Sequence, residues 1–197
     1  NNNLVYKAYL ENTKQKDKQI KHYFDFPCLP ISFFKTHKVV SNTDTLCDNA
    51  SKIFLSSGTG NIDNRSRHIV RDISIYEKNI EDIFCQFYGD INQYYFVGLL
   101  PSYMENSSSS LIYMVDFLMR KGKNIKPLFF KESMALLDEI NRLNEDNQKI
   151  ILFGVAYSLL DFADYVETNH ISLGNADNLI VVETGGMKGR RREITKE

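Results

Sequence analysis

Short apolar runs of β character alternate along this chain with longer segments whose apolar residues recur every three or four positions. The runs are Lys52-Ile53-Phe54-Leu55, Gln93 to Leu100, Lys149 to Gly154 and Asn178 to Val182. Between them, Ile73, Ile75, Tyr76, Ile80, Ile83, Phe84 and Phe87 form one helical stripe. Leu111 to Met119 reads as a second helix ended near Gly122, Leu136, Leu137, Ile140 and Leu143 mark a third, and Val155 to Ala163 a fourth. Strands separated by helix-length crossovers predict an α/β fold, a mostly parallel sheet with helices on both faces. The spacing divides the chain into an N-terminal helical segment, residues 1–25 with a helix expected over 4–22, and an α/β part over 26–197. In such sheets ligands bind beyond the carboxyl ends of the strands. Four expected strands end in small or polar loops, at Ser56–Gly60, Pro101–Tyr103, Gly154–Ser158 and Glu183–Gly186. These loops are expected to gather on one rim.

The first loop, Ser56-Ser57-Gly58-Thr59-Gly60, carries the most chemistry. Its glycines allow backbone angles that let several N–H groups converge, and hydroxyls flank them. Such a nest suits a cluster of anionic oxygens, most often phosphate. The same residues also dominate ordinary turns, and the expected convergence of loops is what favours the phosphate reading. Lys35 and His37 follow two prolines and an aromatic pair, in Pro27-Cys28-Leu29-Pro30-Ile31-Ser32-Phe33-Phe34-Lys35-Thr36-His37. They suit a phosphate or carboxylate, but on these residues alone a solvated lysine and a hydrogen-bonded histidine is the favoured reading. His68 stands after the loop in Ser66-Arg67-His68. Ser107 to Ser110 reads as a loop leading to a helix N-cap, and Asp72 or Ser74 as the cap of the helix from Ile73.

Several function classes are disfavoured. Twenty-four basic residues stand against twenty-five acidic ones, a net charge of −1, which gives no global electrostatic case for nucleic acid. The short run Lys14-Gln15-Lys16-Asp17-Lys18 reads as a solvated face. No apolar run has the length of a membrane span, and the first residues lack the form of a signal peptide. No initiator Met is present, so the chain reads as part of a longer protein. Cys28, Cys47 and Cys85 are widely spaced without a CxxC, and fit incidental thiols of a reducing cytoplasm rather than disulfides or zinc. His22, His37, His68 and His170 show no metal-ligand spacing, so no protein metal site is expected. A P-loop, a complete dinucleotide fingerprint and a GxSxG elbow are all missing.

Taken in order, several stretches resemble one family. They are Leu29 to His37, the Ser-Ser-Gly-Thr-Gly loop with Ser66-Arg67-His68, Leu100-Pro101-Ser102-Tyr103 and Ser108 to Asp116. Gly154-Val155-Ala156-Tyr157-Ser158-Leu159-Leu160-Asp161 and Val182-Glu183-Thr184-Gly185-Gly186-Met187-Lys188-Gly189-Arg190 complete the set. Together they are similar to the acyl-protein synthetase family of luminescence fatty-acid reductases, related to the phenylacetate–CoA ligases of the adenylate-forming superfamily. The resemblance implies ATP- and magnesium-dependent activation of a carboxylic acid, a fatty acid foremost, to an acyl-adenylate. The acyl group then passes to a protein cysteine, or to coenzyme A in the related ligases. It implies an acyl-reductase or acyl-carrier protein as partner. By position, Ser56, Ser57, Gly58, Thr59 and Gly60 would cradle the phosphates, and Glu183, Thr184, Gly185 and Gly186 would wall the nucleotide. Pro101, Ser102, Tyr103, Gly154, Val155, Ala156 and Tyr157 would border the acyl pocket. Lys35, His37 and His68 are the catalytic candidates.

The chain departs from the family in two places. The loop reads Ser-Gly-Thr-Gly where the family has Ser-Gly-Thr-Thr-Gly. The sequence also ends soon after Gly186, where the family continues into a tyrosine-glycine motif, a hinge and a lid domain with its lysine, a part that also holds the acylated cysteine. These departures leave open a module that keeps the fold for binding or scaffolding, without ATP chemistry.

Overall fold

The computed structural model describes residues 2–15, 19–41, 52–56, 65–100 and 108–185. The chain divides into two compact units, Asn1–Tyr76 and Glu77–Glu197.

In the first unit, α1 (Leu4–Asn12) begins at Asn3, whose side chain accepts the Tyr6 N–H. It is shorter than the helix expected over 4–22. The polar residues after Asn12 offer no apolar stripe to bury, and Lys14 takes a left-handed φ of 55°. The Tyr6 hydroxyl donates to the Pro27 carbonyl at 2.7 Å, and Tyr9 meets Phe33 edge to face. Phe33 opens α2 (Phe33–Thr36), a single turn.

The strand before the serine-glycine loop is β1 (Lys52–Leu55), and it does not belong to a parallel sheet. It pairs antiparallel with β2 (Arg67–Val70), Phe54 opposite His68. Arg67 and His68, expected to lead into a helix, are strand residues. The reason lies in burial. Only Phe54 in β1 is fully buried, with Ile53 45 % exposed. One wet face suits an antiparallel pair, whereas parallel strands are covered on both sides. The rim argument therefore holds for three strand ends, not four.

Helix α3 (Ile73–Tyr88) crosses the boundary between the units. Asp72 supplies its cap, accepting both the N–H and the hydroxyl of Ser74. Of the expected stripe, Ile80 and Phe84 are buried, while Ile75, Ile83 and Phe87 lie on an exposed face. The second unit continues through β3 (Tyr94–Leu99), α4 (Ser110–Lys121), β4 (Phe129–Phe130), α5 (Ser133–Glu145), β5 (Lys149–Gly154), α6 (Ala156–Thr168) and β6 (Leu179–Glu183). Four parallel strands lie in the order β4-β3-β5-β6. This is the expected α/β arrangement. β3 and β5 are its apolar centre: Phe96, Val97, Ile150 and Ile151 are wholly buried.

Helices cover both faces. Tyr94 and Phe96 point to one side, where Phe84 of α3 meets both rings and Gly122, just after α4, lies against Phe96. A Cβ at Gly122 would stand 2.6 Å from that ring, so only glycine fits there. Phe153 of β5 shares this face, its ring stacked 6.5 Å from Phe96. On the other side Leu152 and Val181 face Leu159 and Phe162 of α6, and Tyr95 lies beside Glu139 and Arg142 of α5. Right-handed crossovers require this division, because α4 carries the chain from β3 one way along the sheet and α6 carries it from β5 the other way.

The outer side of β3 is only partly paired by β4, which meets Gly98 and Leu99 alone. A loop finishes the work. Lys123 N–H donates to the Tyr94 carbonyl, and Gly98 N–H donates to the Leu128 carbonyl. Between them the Asn124 side chain accepts from Phe96 N–H at 2.9 Å and donates to the Phe96 carbonyl at 2.8 Å. One amide thus imitates a strand residue. Asn124→Ala orphans both groups and is expected to cost about 2–4 kcal/mol, read as a shift in the urea midpoint at unchanged slope.

Across the helical face, the Tyr113 hydroxyl of α4 donates to Glu77 of α3 at 2.6 Å. Burial, then this bond to the Glu77 carboxylate, raises the Tyr113 phenol above its usual value. A phenol raised in the folded state gives stability that is complete below the unfolded pKa near 10 and lost as pH rises through the folded one. Stability should therefore fall on the alkaline side, and thermal melts of Tyr113→Phe at pH 8 to 11 should show a shallower fall.

Candidate functional site

The winding of the sheet reverses between β3 and β5: one crossover leaves β3 for β4, the other leaves β5 for β6. In doubly wound sheets the crevice at such a reversal, beyond the strand ends, is where ligands bind. Leu99 and Leu100 bring β3 to this point, each 2 % exposed. Helix α4 begins with Ser109 as N-cap, its hydroxyl accepting Ile112 N–H, which agrees with the loop-and-cap reading of the serine run.

The end of β5 is built more tightly. Gly154 leads through Val155 into α6 with almost no connecting chain. A Cβ on Gly154 would stand 2.5 Å from the Leu159 side chain, so the missing side chain lets the helix settle against the strand end. The Gly154 carbonyl accepts two bonds from the residue after β6: Thr184 N–H at 2.8 Å and Thr184 Oγ1 at 3.1 Å. Gly185 follows with φ 81°, a left-handed turn open to glycine at no steric cost. The segments Gly154–Tyr157 and Glu183–Gly185 are thereby held side by side. Val155, Ala156 and Tyr157 are buried, and Glu183 and Gly185 are exposed.

Helix α6 starts without help from its N-cap. Val155 has an extended backbone and no side-chain acceptor, and its carbonyl takes the N–H groups of Ser158 and Leu159. The N-terminus of a helix carries partial positive charge and N–H groups directed outward. Ser158, in the first turn, is 5 % exposed, and its Oγ has no hydrogen-bond partner. Sequence reasoning placed it at the end of the Gly154–Ser158 loop and assigned it no role of its own. The signal was its place on the face that carries Phe162, where a hydroxyl is out of keeping.

The candidates Lys35, His37, Ser56 and His68 lie in the first unit. Ser56 N–H donates to the Ser66 carbonyl and Ser66 N–H donates to Ser56 Oγ, both at 3.0 Å, so the Ser56 hydroxyl closes the base of the loop. His37 ends α2, stacked 4.8 Å from Phe33 and bonded to the Thr36 hydroxyl. His68 stacks 4.8 Å from Phe34. Lys35 is exposed. Both imidazoles are thus engaged by neighbouring phenyl rings. Cys28 and Cys85 are exposed free thiols. Ser57, Gly58, Thr59, Gly60, Pro101, Ser102, Tyr103, Gly186 and Cys47 lie outside the described residues.

A separate apolar cavity of about 540 Å³ runs beneath α6, between Leu159, Phe162 and Val166 on the helix and Leu152, Leu179 and Val181 on the sheet, with Glu167 and His170 at its far end. Gly154, Val155, Ala156 and Tyr157 do not line it. Among the described residues no three His, Cys, Asp or Glu side chains gather to hold a metal ion, and no helix is long and apolar enough to cross a membrane.

No family model, no curated protein and no solved structure matches this chain.

The Thr184 clasp has a measurable worth. Thr184→Val removes the hydroxyl donor while leaving the backbone bond, and is expected to lower stability by about 0.5–1.5 kcal/mol, with faster hydrogen exchange confined to the ends of β5 and β6.

Proposed function

We propose that this chain belongs to an enzyme that uses ATP to activate a carboxylic acid, with fatty acids the first class to test. A substrate carboxylate oxygen attacks the α-phosphorus, and the bond to the departing pyrophosphate breaks. A thiolate then attacks the acyl carbon and releases AMP, the thiol being a protein cysteine or, as the alternative, coenzyme A. Magnesium enters with ATP as the counter-ion of its phosphates, part of the substrate.

The observation that carries the reading is the pair of bonds from Thr184 to the Gly154 carbonyl. The resemblance gives Gly154 to Tyr157 to the acyl group and Glu183 to Gly186 to the nucleotide. Activation needs those two ligands in contact, and the two segments meet at the carboxyl ends of β5 and β6, next to the reversal between β3 and β5. Helix N-termini at this rim favour the negative charge that builds during phosphoryl attack. The phosphates themselves fall to Ser56–Gly60 by the resemblance, and of these Ser56 lies within the described residues.

The test is carboxylate-dependent exchange of labelled pyrophosphate into ATP by the full-length chain, across aromatic and fatty acids. Exchange is expected, and the double variant Ser57→Ala, Thr59→Ala should lower it at least about 100-fold, as removal of oxyanion donors does. No exchange with any acid, joined to no ATP binding by calorimetry, would leave a binding or scaffold module in its place.

A further inference from the structure

Apolar side chains exposed one at a time are ordinary on a folded surface, but in the first unit they are gathered. Ile20, Tyr23, Phe24, Phe26 and Ile31 fall within a short stretch and are between 42 % and 79 % exposed. Three of them belong to one turn of 3-10 helix, Tyr23–Asp25. Tyr23 and Phe24 open it with ring centroids 3.8 Å apart, and Phe26 closes it by donating its N–H to the Tyr23 carbonyl. The neighbouring rings are spent inside the unit: the Tyr6 hydroxyl holds the Pro27 carbonyl, Phe33 meets Tyr9 and His37, and Phe34 stacks on His68. One set of aromatic groups thus fastens the stretch to its own unit, and Tyr23, Phe24 and Phe26 are the set left outside.

Charge is placed unevenly as well. Residues 1–41 hold seven lysines against three acidic residues, a net charge of +4, while the rest of the chain carries −5. Lys21, Lys35 and Lys38 are exposed. Asp25, the one acidic residue between Gln19 and Ser41, accepts the Lys21 and His22 N–H groups at 2.9 Å, so its charge is turned onto the backbone.

We propose that the stretch from Ile20 to Lys38 docks on an anionic phospholipid bilayer, with its exposed rings among the headgroups and its lysines against the lipid phosphates. Rings with one apolar and one wet end settle at headgroup level, and each lysine near an anionic leaflet adds attraction. Stable attachment takes both signals, apolar insertion and basic charge, and this stretch carries both. The lysines also speak against a protein partner, because protein interfaces are poor in lysine. The stretch lies on the bilayer without spanning it. The inference goes beyond the proposed function and does not rest on it.

The experiment mixes the full-length chain with vesicles of phosphatidylcholine alone, or of phosphatidylcholine and phosphatidylserine in equal parts, and reads bound protein by sedimentation. Binding is expected to the anionic vesicles, and raised salt should release it. The double variant Tyr23→Ser, Phe24→Ser should weaken binding about tenfold or more, and so should Lys21→Ala, Lys35→Ala. All four side chains are exposed, so both variants should melt with the parent, and each tests the proposal without the other. Equal binding to neutral vesicles, no binding to anionic ones at low salt, or parental binding by either folded variant overturns the proposal. A dimer that the ring variant abolishes, without vesicle binding, also overturns it and gives the patch to a second copy of this chain. ATP takes no part in the readout, so failure of pyrophosphate exchange leaves this result standing, and the converse holds.

Discussion

A backbone amide sealed inside a sheet must find a partner or forfeit free energy, and β3 meets this condition from two unlike sources. Along β5 it is paired for six residues, from Tyr94 opposite Lys149 to Leu99 opposite Gly154. On the other side the two residues of β4 are too few, and the stretch from Lys123 to Leu128 supplies the remainder through two backbone bonds and the Asn124 amide. The central position of β3 depends on this substitute strand. So does the placing of its carboxyl end beside that of β5, which creates the crevice. The function proposed for the rim thus hangs on a side chain at the opposite edge of β3, some way from any reacting atom.

The rim follows a second economy of acceptors. A carbonyl oxygen has two lone pairs, and at Gly154 both are used by Thr184. One residue thereby ties the ends of two strands together.

How much of this was legible in the residues depended on burial. β3, β5 and β6 were read from continuous apolar runs, which is how strands covered on both faces present themselves. α4, α5 and α6 followed from their apolar spacing. β4 escaped because Phe129-Phe130 is too short to carry a period. β2 escaped because Arg67 and His68 are polar and exposed, and β1, apolar enough for a strand, gave no hint of its orientation. The Asn124 amide was invisible for another reason: its role depends on a backbone twenty-eight residues away. At the rim, the strand-then-loop pattern pointed to Gly154–Ser158 and Glu183–Gly186 without revealing the bond between Thr184 and Gly154. It did not single out Ser158 within that loop, because the burial of its hydroxyl depends on tertiary packing.

The paired serines at the neck of the glycine loop bear on its history. Ser56 and Ser66 exchange two bonds ten residues apart, and beyond them β1 and β2 keep their register through four residue pairs. Register is therefore set at the neck. Gaining or losing one residue in a loop of this size changes its closure entropy by about 0.1 kcal/mol, too little to trouble the strands. Insertions and deletions between the two serines are therefore nearly invisible to folding. The length of that loop can change while the ladder beneath it, Lys52–Leu55 against Arg67–Val70, keeps its pairing.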